Sequence, residues 1–446
     1  MLFHSQLFML GFLPPVLLLF HAAGTQRSRE WVLVLASLAF YGGWDWRFVP
    51  ALVGLTLANW LAVRAWAHTG RRGWLGAGVA MNLVVLGVCK YADFVVAQFV
   101  VAAPLGIILP LGVSFFTFQK IGYLLDLRRG DRHVYGLLEF FAFVTFFPQL
   151  IAGPIVRHSE LIPQFSRLTA ASWQAIGRGL LLFGMGLGKK LLLADVAGQV
   201  ADPLFVLAQQ GQVGLGQGWL AAGAYGLQIL FDFSAYSDMA IGLGLMFGLR
   251  LPDNFNAPYR ATSLREFWRR WHMTLSRWLR DYVYIPLGGN RSGGAARNVI
   301  LTMALGGLWH GAAWTFVAWG LAHGVALAAN GAWVRAGWRM PAPVGWALTL
   351  AFVLAAWVLF RAPDFATAST MLRGMAGLAG AGGVRITHGP ELAAAAALAL
   401  LGPTSQVLAE RLRPRPWLAW PAGVALAGLV LLAGGRTAAE FIYFQF

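Results

Sequence analysis

Charged residues are scarce in this 446-residue chain, where Asp, Glu, Lys and Arg together make up 12%. A soluble domain usually carries roughly 25%. Hydrophobic residues supply 58% of the chain, and apolar stretches of about 18 residues or more, each long enough to cross a bilayer, recur along it. This composition excludes an ordinary soluble protein. It predicts an all-α polytopic membrane protein.

Cysteine and acidic residues are also scarce. The single cysteine, Cys89, excludes an internal disulfide and is interpreted as a small buried hydrophobe. The 18 acidic residues face 34 basic ones, which leaves a formal charge of +16. Because no basic tail or nucleic-acid motif accompanies this excess, we expect no nucleic-acid partner. The basic residues are expected in cytoplasmic loops, where they orient membrane spans and meet anionic lipid.

Several common catalytic signatures are missing, namely HExxH, GxSxG and CxxC. Residues 184–190, GMGLGKK, resemble a phosphate loop, but the first glycine is misplaced and no Ser or Thr follows the lysine. We interpret them as a span that approaches a basic membrane edge. Suitably spaced His, Cys and Asp residues are lacking, so we expect neither a metal site nor a bound cofactor.

About eleven apolar segments follow one another without a soluble linker, which favours a single membrane domain over residues 1–446. They lie near 5–23, 31–45, 48–67, 73–90, 93–127, 136–156, 175–198, 216–248, 298–328, 343–361 and 390–435. The 93–127 and 390–435 segments are long enough for two passes or a re-entrant piece. The first segment lacks a basic leading region, and we expect a retained span rather than a cleaved signal.

Polar side chains interrupt the 216–248 segment. Gln228, Asp232 and Tyr236 are spaced by four residues and form one stripe on a helix, and Ser234 and Asp238 form a second pair. Polar groups are costly in lipid and face protein or water. We therefore expect these polar side chains to form hydrogen bonds between helices that fix the bundle. A direct role in binding substrate is the alternative.

The stretch from Arg250 to Asn298 differs from its surroundings, because it is rich in charge and tryptophan. From Arg260 to Arg297 inclusive there are eight arginines and only two acidic residues. This asymmetry places the stretch on the cytoplasmic side.

A capping box at residues 263–266 predicts the start of a helix within this stretch. Turn residues at 286–290 predict its end. One face of the helix would be apolar and the other would carry arginines, as expected of a helix that lies in the membrane interface. His272 lies at the edge between the two faces. The apolar face comprises Trp268, Trp271, Leu275, Trp278, Leu279 and Tyr282, and the arginine face comprises Arg269, Arg270, Arg277 and Arg280.

His310 differs from the other eight histidines, most of which lie near span ends or in loops and are expected to be solvated. At 1.5 Å per residue it lies roughly 18 Å along a helix from Asn298, near the middle of a hydrocarbon core about 30 Å thick. Gly307 and Gly311 permit close approach of a substrate. Burial favours a neutral imidazole, which can accept a proton from a hydroxyl. A histidine tied into a packing network is the alternative.

Seven stretches, in order, carry a family resemblance: LPLGVSFFTFQKIGYLLDLRRG (109–130), FFPQLIAGPIVRHSELIPQF (146–165), GLGKKLLLAD (186–195), LQILFDFSAYSDMAIGLGLMFG (227–248), FNAPYRATSLREFWRRWHMTLSRWLRDYVYIPLGGNR (255–291), GLWHGAAWTFVAWGLAHG (307–324) and FIYFQF (441–446). With them the chain resembles the membrane-bound O-acyltransferases, in the alginate O-acetyltransferase branch, with core motifs over 109–324.

The resemblance implies a ring of eleven or more membrane helices around a central funnel, in a bacterial inner membrane. It implies that His310, in WHG, is the essential catalytic histidine and that His272, in RRWH, is a second functional one. It also implies acetyl transfer from acetyl-coenzyme A to an exported polysaccharide such as alginate, completed by a periplasmic esterase-like partner. We place further residues along the substrate path: Trp309, Gln228, Asp232, Asp238, Arg269, Arg270 and Asn290.

Three alternatives stay open. One is transfer of D-alanine or another acyl group to a cell-envelope polymer. Another is a transporter or polysaccharide export component, although no repeated pair of halves with matching broken spans is evident. The third is a structural scaffold in a polysaccharide synthase.

Overall fold

The computed structural model describes residues 1–99, 105–291, 293–383, 386–412, 416–435 and 441–442. Within these ranges every regular element is helical. The predicted all-α class is therefore confirmed.

The α-helices of the described ranges are α1 (Leu13–Ala22), α2 (Gln26–Asp45), α3 (Val49–Thr69), α4 (Gly73–Phe99), α5 (Val113–Arg129), α6 (Leu137–Thr145), α7 (Phe147–Leu150), α8 (His158–Phe165), α9 (Trp173–Gly188), α10 (Asp195–Gln209), α11 (Leu215–Met246), α12 (Leu264–Arg270), α13 (Met273–Leu279), α14 (Ala295–His310), α15 (Trp314–Arg335), α16 (Ala342–Arg361), α17 (Phe365–Met375), α18 (Gly389–Leu401), α19 (Ser405–Arg411) and α20 (Pro416–Gly434). Three π-helical turns (Leu7–Phe12, Lys189–Ala194, Arg280–Tyr284) and two 3₁₀ turns (Trp46–Phe48, Pro258–Arg260) accompany them.

Side-chain caps fix the start of several helices. The Thr25 hydroxyl accepts a hydrogen bond from the Ser28 N–H at the start of α2, and Asp364 accepts one from Thr367 at the start of α17. Each cap satisfies a backbone N–H that the helix itself leaves without an acceptor. Gly70, in the left-handed conformation, ends α3.

Five helical stretches of the described residues are long and apolar enough to cross a membrane: Gln26–Thr69, Gly73–Phe99, Trp173–Gln209, Leu215–Met246 and Ala342–Arg361. A sixth is formed if α18 and α19, which meet at an angle of 73°, count as one span. By length and composition the described chain therefore supplies five or six spans, fewer than the eleven apolar segments of the sequence.

The chain divides into two compact units. The first unit comprises Met1–Leu187, Tyr236–Asp253 and Leu408–Ala438. Its core is rich in phenylalanine, with Phe40 and Phe247 each in ring contact with Phe147. Gly179 and Gly242 bring α9 and α11 into backbone contact, because a Cβ on either would lie 2.5 Å from the carbonyl oxygen of the other. Small residues at a helix crossing allow such close approach.

The second unit comprises Gly188–Ala235, Asn254–Val407 and Ala439–Phe446. Within it α14 and α15 form an antiparallel hairpin. Gly307 on α14 lies against Phe316, and Gly320 on α15 lies against Met303; a side chain at either glycine would collide with the opposing backbone. The chain reverses at Gly311, whose extended backbone (φ −161°, ψ 154°) ends α14.

This hairpin corrects the prediction of one continuous apolar segment over residues 298–328. Hydropathy is similar on both sides of the reversal, so the apolar pattern alone does not reveal it. His310 is consequently the last residue of α14, at the tip of the hairpin. The helical path from Asn298 to His310 is as predicted.

The predicted amphipathic helix is also different in the structure. It starts after Ser263 as expected, with the Ser263 hydroxyl accepting from the Glu266 N–H. However, it breaks at His272, which lies in the left-handed region (φ 40°) between α12 and α13. Most of its apolar face is buried in protein rather than offered to lipid: Trp271, Leu275, Trp278, Leu279 and Tyr282. Helical periodicity marks a buried face in the same way as a lipid-facing one.

Candidate active site

His310 lies in a cage of aromatic rings. Its side chain is 5% exposed. The rings of Trp309, Trp319 and Phe360 lie edge-to-face with its imidazole, at centroid distances of 4.9, 5.2 and 5.1 Å. Such T-shaped contacts are the favoured aromatic geometry. The end of α14, the start of α15 and the end of α16 thus surround this imidazole with apolar surface.

His272 is fully buried, and an amide oxygen binds its ring. Its Nδ1 lies 3.0 Å from Asn254 Oδ1, which also accepts from the Thr274 hydroxyl at 2.9 Å and the Thr274 N–H at 3.3 Å. Because an amide oxygen only accepts, Nδ1 carries the proton of the neutral ring. Nε2 is then the nitrogen that can accept a proton.

The backbone at His272 is strained. A left-handed conformation is unfavourable by about 1–2 kcal/mol for a residue with a Cβ, and such residues concentrate at functional sites. Phe233 lies edge-to-face on the His272 imidazole at 4.7 Å, and Phe255 stacks on it at 6.4 Å. Together with Asn254, these contacts hold the ring in place against the strain.

The indole ring of Trp309 contacts both histidines. The Trp309 ring is 4.9 Å from His310 and 6.3 Å from His272. We call these three residues the histidine cluster. The structure therefore brings together both predicted catalytic histidines and one predicted path residue, although 37 residues separate the two histidines in sequence.

Asp232, another predicted path residue, belongs to a buried ion cluster. Lys190 Nζ lies 2.8 Å from both Asp232 Oδ1 and Asp195 Oδ1. We call Lys190, Asp195 and Asp232 the charged cluster. Asp232 also accepts from the Ile442 N–H at 2.8 Å, while residues 443–446 of the FIYFQF motif lie outside the described residues. Lys190 lies within the helical stretch Trp173–Gln209 and is buried, and the basic membrane edge at residues 184–190 stays a prediction.

Two further predicted path residues, Gln228 and Asp238, belong to neither the histidine cluster nor the charged cluster. Gln228 contacts Gly198 on the neighbouring stretch of the second unit. Asp238 is buried and belongs to the first unit.

Three predicted path residues, Arg269, Arg270 and Asn290, are more exposed than Asp232 and Asp238. Arg269 is exposed, whereas Arg270 pairs with Glu266 at 2.7 Å. Asn290 accepts from the Tyr284 hydroxyl at 2.7 Å. Of the two arginines predicted along the substrate path, Arg269 is thus the more accessible one.

Several site residues were missed by the sequence reasoning: Asn254, Phe233, Trp319, Phe360 and His323. His323 is fully buried and accepts a hydrogen bond from the Trp268 indole N–H at 3.3 Å. The expectation that most histidines are solvated was wrong for His4, His158 and His323, which are all buried. The one available signal for His323 was its place within the 307–324 motif.

Metal-ligating side chains do not converge in the part of the chain that the structure describes, where no group of three or more His, Cys, Asp or Glu residues is arranged to hold an ion. The polar side chains described around His310 and His272 are imidazole, indole and amide groups.

Comparison with known proteins identifies the family. The family model described as "MBOAT, membrane-bound O-acyltransferase family" matches residues 113–366. The chain is 43% identical to a Pseudomonas aeruginosa protein described as "Probable alginate O-acetylase AlgI", over 84% of this chain and 75% of the relative. It is 39% identical to the peptidoglycan O-acetyltransferase of Helicobacter pylori, over 87% and 81%.

A more distant relative is the teichoic acid D-alanyltransferase of Streptococcus thermophilus, 32% identical over 50% of this chain and 57% of that protein. The family model covers both buried histidines and every ring of the cage around His310. The chain belongs to the membrane-bound O-acyltransferase family, and it is a membrane-embedded O-acyltransferase.

Proposed function

We propose that this enzyme transfers an acetyl group from acetyl-coenzyme A to a hydroxyl of an exported cell-envelope polysaccharide, with His310 as the general base. The observation that carries the proposal is that two buried histidines, His272 and His310, both contact the ring of Trp309. Acyl transfer needs a base that takes the proton of the attacking hydroxyl, and a neutral imidazole does this at physiological pH.

The proton and the acyl group move in opposite directions in this reaction. The acceptor oxygen bonds to the acetyl carbonyl carbon while His310 takes the hydroxyl proton. The tetrahedral intermediate then collapses, its carbon–sulfur bond breaks, and His310 returns the proton to the departing thiolate. The aromatic cage excludes water, which would otherwise hydrolyse the thioester.

His272 has a positioning role in the proposal. With Nδ1 donating to Asn254, its Nε2 can accept a hydrogen bond from a second hydroxyl of the acceptor and orient it. Trp309 contacts both imidazoles and packs against them. Gln228, Asp232, Asp238 and Asn290 are assigned to fixing the protein around the path.

Arg269 and Arg270 are assigned to the donor side. Exposed guanidinium groups attract the phosphates of a nucleotide thioester. Arg269 is the main candidate, because Arg270 already pairs with Glu266.

The relatives that act on alginate and on peptidoglycan support an extracytoplasmic glycan acceptor. A cytosolic donor and an exported acceptor place the enzyme in the bacterial inner membrane, with a periplasmic esterase-like partner that completes the transfer. The proposal includes eleven or more membrane crossings in a ring around a funnel. Accessibility of single introduced cysteines in a Cys89→Ser background tests the number of crossings.

The deciding experiment measures ester-linked acetate on surface polysaccharide in cells that express His310→Ala or His272→Ala at matched protein level. His310→Ala is expected to abolish acetylation and His272→Ala to reduce it strongly. His68→Ala, at an exposed histidine, is the control and is expected to retain full acetylation. Normal acetate content with His310→Ala would overturn the proposal.

D-alanyl transfer is the second candidate, because the chain is also similar to a teichoic acid D-alanyltransferase. Feeding cells radiolabelled acetate or radiolabelled D-alanine distinguishes the two. The label that becomes ester-linked to polymer in a His310-dependent manner identifies the acyl group.

A further inference from the structure

Trp319 is a buried hydrogen-bond donor beside His310. It lies in the second turn of α15 and is 1% exposed. An indole nitrogen can only donate, and among the described residues no acceptor lies within hydrogen-bonding distance of Trp319 Nε1. A buried donor left in this state is unfavourable, because it has lost its hydrogen bond to water without gaining one in the protein. Such a group calls for an explanation, and one explanation is a ligand.

Two other buried or half-buried indoles near Trp319 have acceptors for their N–H groups. The Trp357 N–H donates to the Tyr259 hydroxyl at 3.1 Å, and the Trp268 N–H donates to His323 Nδ1 at 3.3 Å. Trp357 lies stacked on Trp319, with centroids 5.7 Å apart. Trp319 therefore differs from Trp357 and Trp268, whose indole N–H groups have acceptors within the described chain.

Trp319 is also held rigidly. His323 lies edge-to-face on it at 4.9 Å, Phe360 at 5.1 Å and Trp268 at 5.8 Å, while Trp357 stacks on its face. Because Trp268 donates to Nδ1 of His323, that ring is fixed as the tautomer with its proton on Nε2. A donor held in this way needs no reorganisation during reaction, which is what makes preorganised donors effective in catalysis.

We propose that the Trp319 indole N–H donates a hydrogen bond to the carbonyl oxygen of the acyl donor and stabilises the oxyanion that forms when His310 deprotonates the acceptor. The imidazole of His310 and the indole of Trp319 are in edge-to-face contact at 5.2 Å. One acyl carbon can therefore have its attacking hydroxyl at His310 and its oxygen at Trp319. This assignment rests on the proposed function of His310 and adds the electrophilic half of the site.

The hydrogen bond from Trp319 adds no atom and no proton to the overall reaction. The carbonyl π electrons move onto oxygen as the new carbon–oxygen bond forms, and the Trp319 N–H binds that oxygen without giving up its proton. When the carbon–sulfur bond breaks, the electrons return to the carbonyl and the hydrogen bond weakens. The Trp319 donor thus acts most strongly on the intermediate, so its removal lowers kcat more than it raises KM.

The test compares three variants of the full-length enzyme in detergent or nanodiscs with acetyl-coenzyme A. Trp319→Phe removes the N–H, and replacing Trp319 by 3-benzothienylalanine removes it while keeping the bicyclic shape. Both are expected to lower kcat by about 10²-fold with little change in KM, as for loss of one oxyanion donor. Trp357→Phe, in the same ring stack, removes an N–H that is already paired with Tyr259 and is expected to keep kcat within a few-fold.

Binding of two non-reacting donor analogues gives a second readout. The ketone analogue, in which a CH₂ replaces the thioester sulfur, retains the carbonyl and should bind a few-fold more weakly to the 3-benzothienylalanine variant, because the Trp319 N–H binds an unreacted carbonyl oxygen only weakly. The S-ethyl thioether lacks the carbonyl and should bind equally to both proteins. An unchanged kcat with 3-benzothienylalanine, or equal loss of affinity for both analogues, would overturn the assignment of Trp319.

His310→Ala in the same assay separates the two proposals. If it is inactive while the Trp319 variants are normal, only the role of Trp319 fails. If it retains activity, the proposed function of His310 fails first.

Discussion

The charged cluster and the histidine cluster are two buried polar sites of the same unit, and they avoid the cost of burial in different ways. In the charged cluster, Lys190 lies 2.8 Å from two carboxylates, so opposite charges compensate each other. In the histidine cluster, the imidazoles lie among aromatic rings, with one amide oxygen holding His272.

This difference indicates different roles. Paired buried charges fix one arrangement, because moving either partner exposes an unpaired charge. Neutral imidazoles among rings keep the capacity to gain a proton when a hydroxyl arrives. We therefore assign the charged cluster to structure and the histidine cluster to chemistry, and four substitutions test that division.

The largest effect is expected for Lys190→Met. It leaves Asp195 and Asp232 as neighbouring carboxylates without their cation, which destabilises a buried site by about 3–5 kcal/mol. The folded yield and the detergent melting temperature should fall sharply. Lys189→Met is the control, because the half-buried Lys189 ammonium makes a 3.4 Å hydrogen bond to Ser234. Equal stability of the two variants would contradict a structural role for the charged cluster.

Gly320→Ala tests whether the α14–α15 hairpin positions His310. The new methyl group would collide with the Met303 carbonyl and force the helices apart, at about 1–3 kcal/mol. We expect a lower melting temperature together with loss of acyl transfer.

Gly331→Ala is the matched control on the same helix, since the nearest atom there belongs to the flexible Arg335 side chain. It should be neutral or slightly stabilising. If Gly320→Ala behaves like Gly331→Ala in both measurements, the close crossing is not what positions His310.

Asn254→Ala removes the acceptor that orients His272. The His272 Nδ1 proton and the Thr274 hydroxyl lose their partner, at about 1–3 kcal/mol, so kcat should fall about tenfold or more. Asn256→Ala, two residues along with an exposed side chain, should be normal. Full activity of Asn254→Ala would show that the tautomer of His272 is not needed.

The smallest effect is expected for Arg269→Gln. Its exposed charge contributes to long-range attraction, which salt screens with a Debye length of about 8 Å at physiological ionic strength. KM for acetyl-coenzyme A should rise a few-fold at low salt and approach the wild-type value at high salt, with kcat unchanged. Arg71→Gln, at an exposed arginine of the first unit, controls for net charge. A salt-independent rise in KM would indicate direct contact instead.

Local patterns of the sequence predicted much that the structure confirms. The helix over 215–246, the start of α12 after Ser263 and the turn beyond Tyr284 follow from apolar length, capping and glycine chemistry. These signals act over a few residues, so the sequence carries them directly. The family motifs likewise led to His310 and His272.

Contacts between distant residues were not predictable in this way. The reversal at Gly311 interrupts a run whose hydropathy is the same on both sides. The break at His272 interrupts a regular helical period, because Asn254 and Phe233 hold that residue in a conformation that its neighbours do not encode. His323 was taken for a solvated side chain because nothing local marks its contact with Trp268.

By itself, the sequence determined a helical, membrane-embedded acyltransferase with a candidate catalytic histidine, since composition, periodicity and ordered motifs are properties of the chain alone. Only the tertiary structure decided which groups surround that histidine. A ring cage, a shared amide oxygen and an indole donor beside His310 arise when α11 to α16 pack together. Their geometry depends on contacts between side chains far apart in the sequence, such as Phe233 with His272 and His310 with Phe360, that no local pattern specifies.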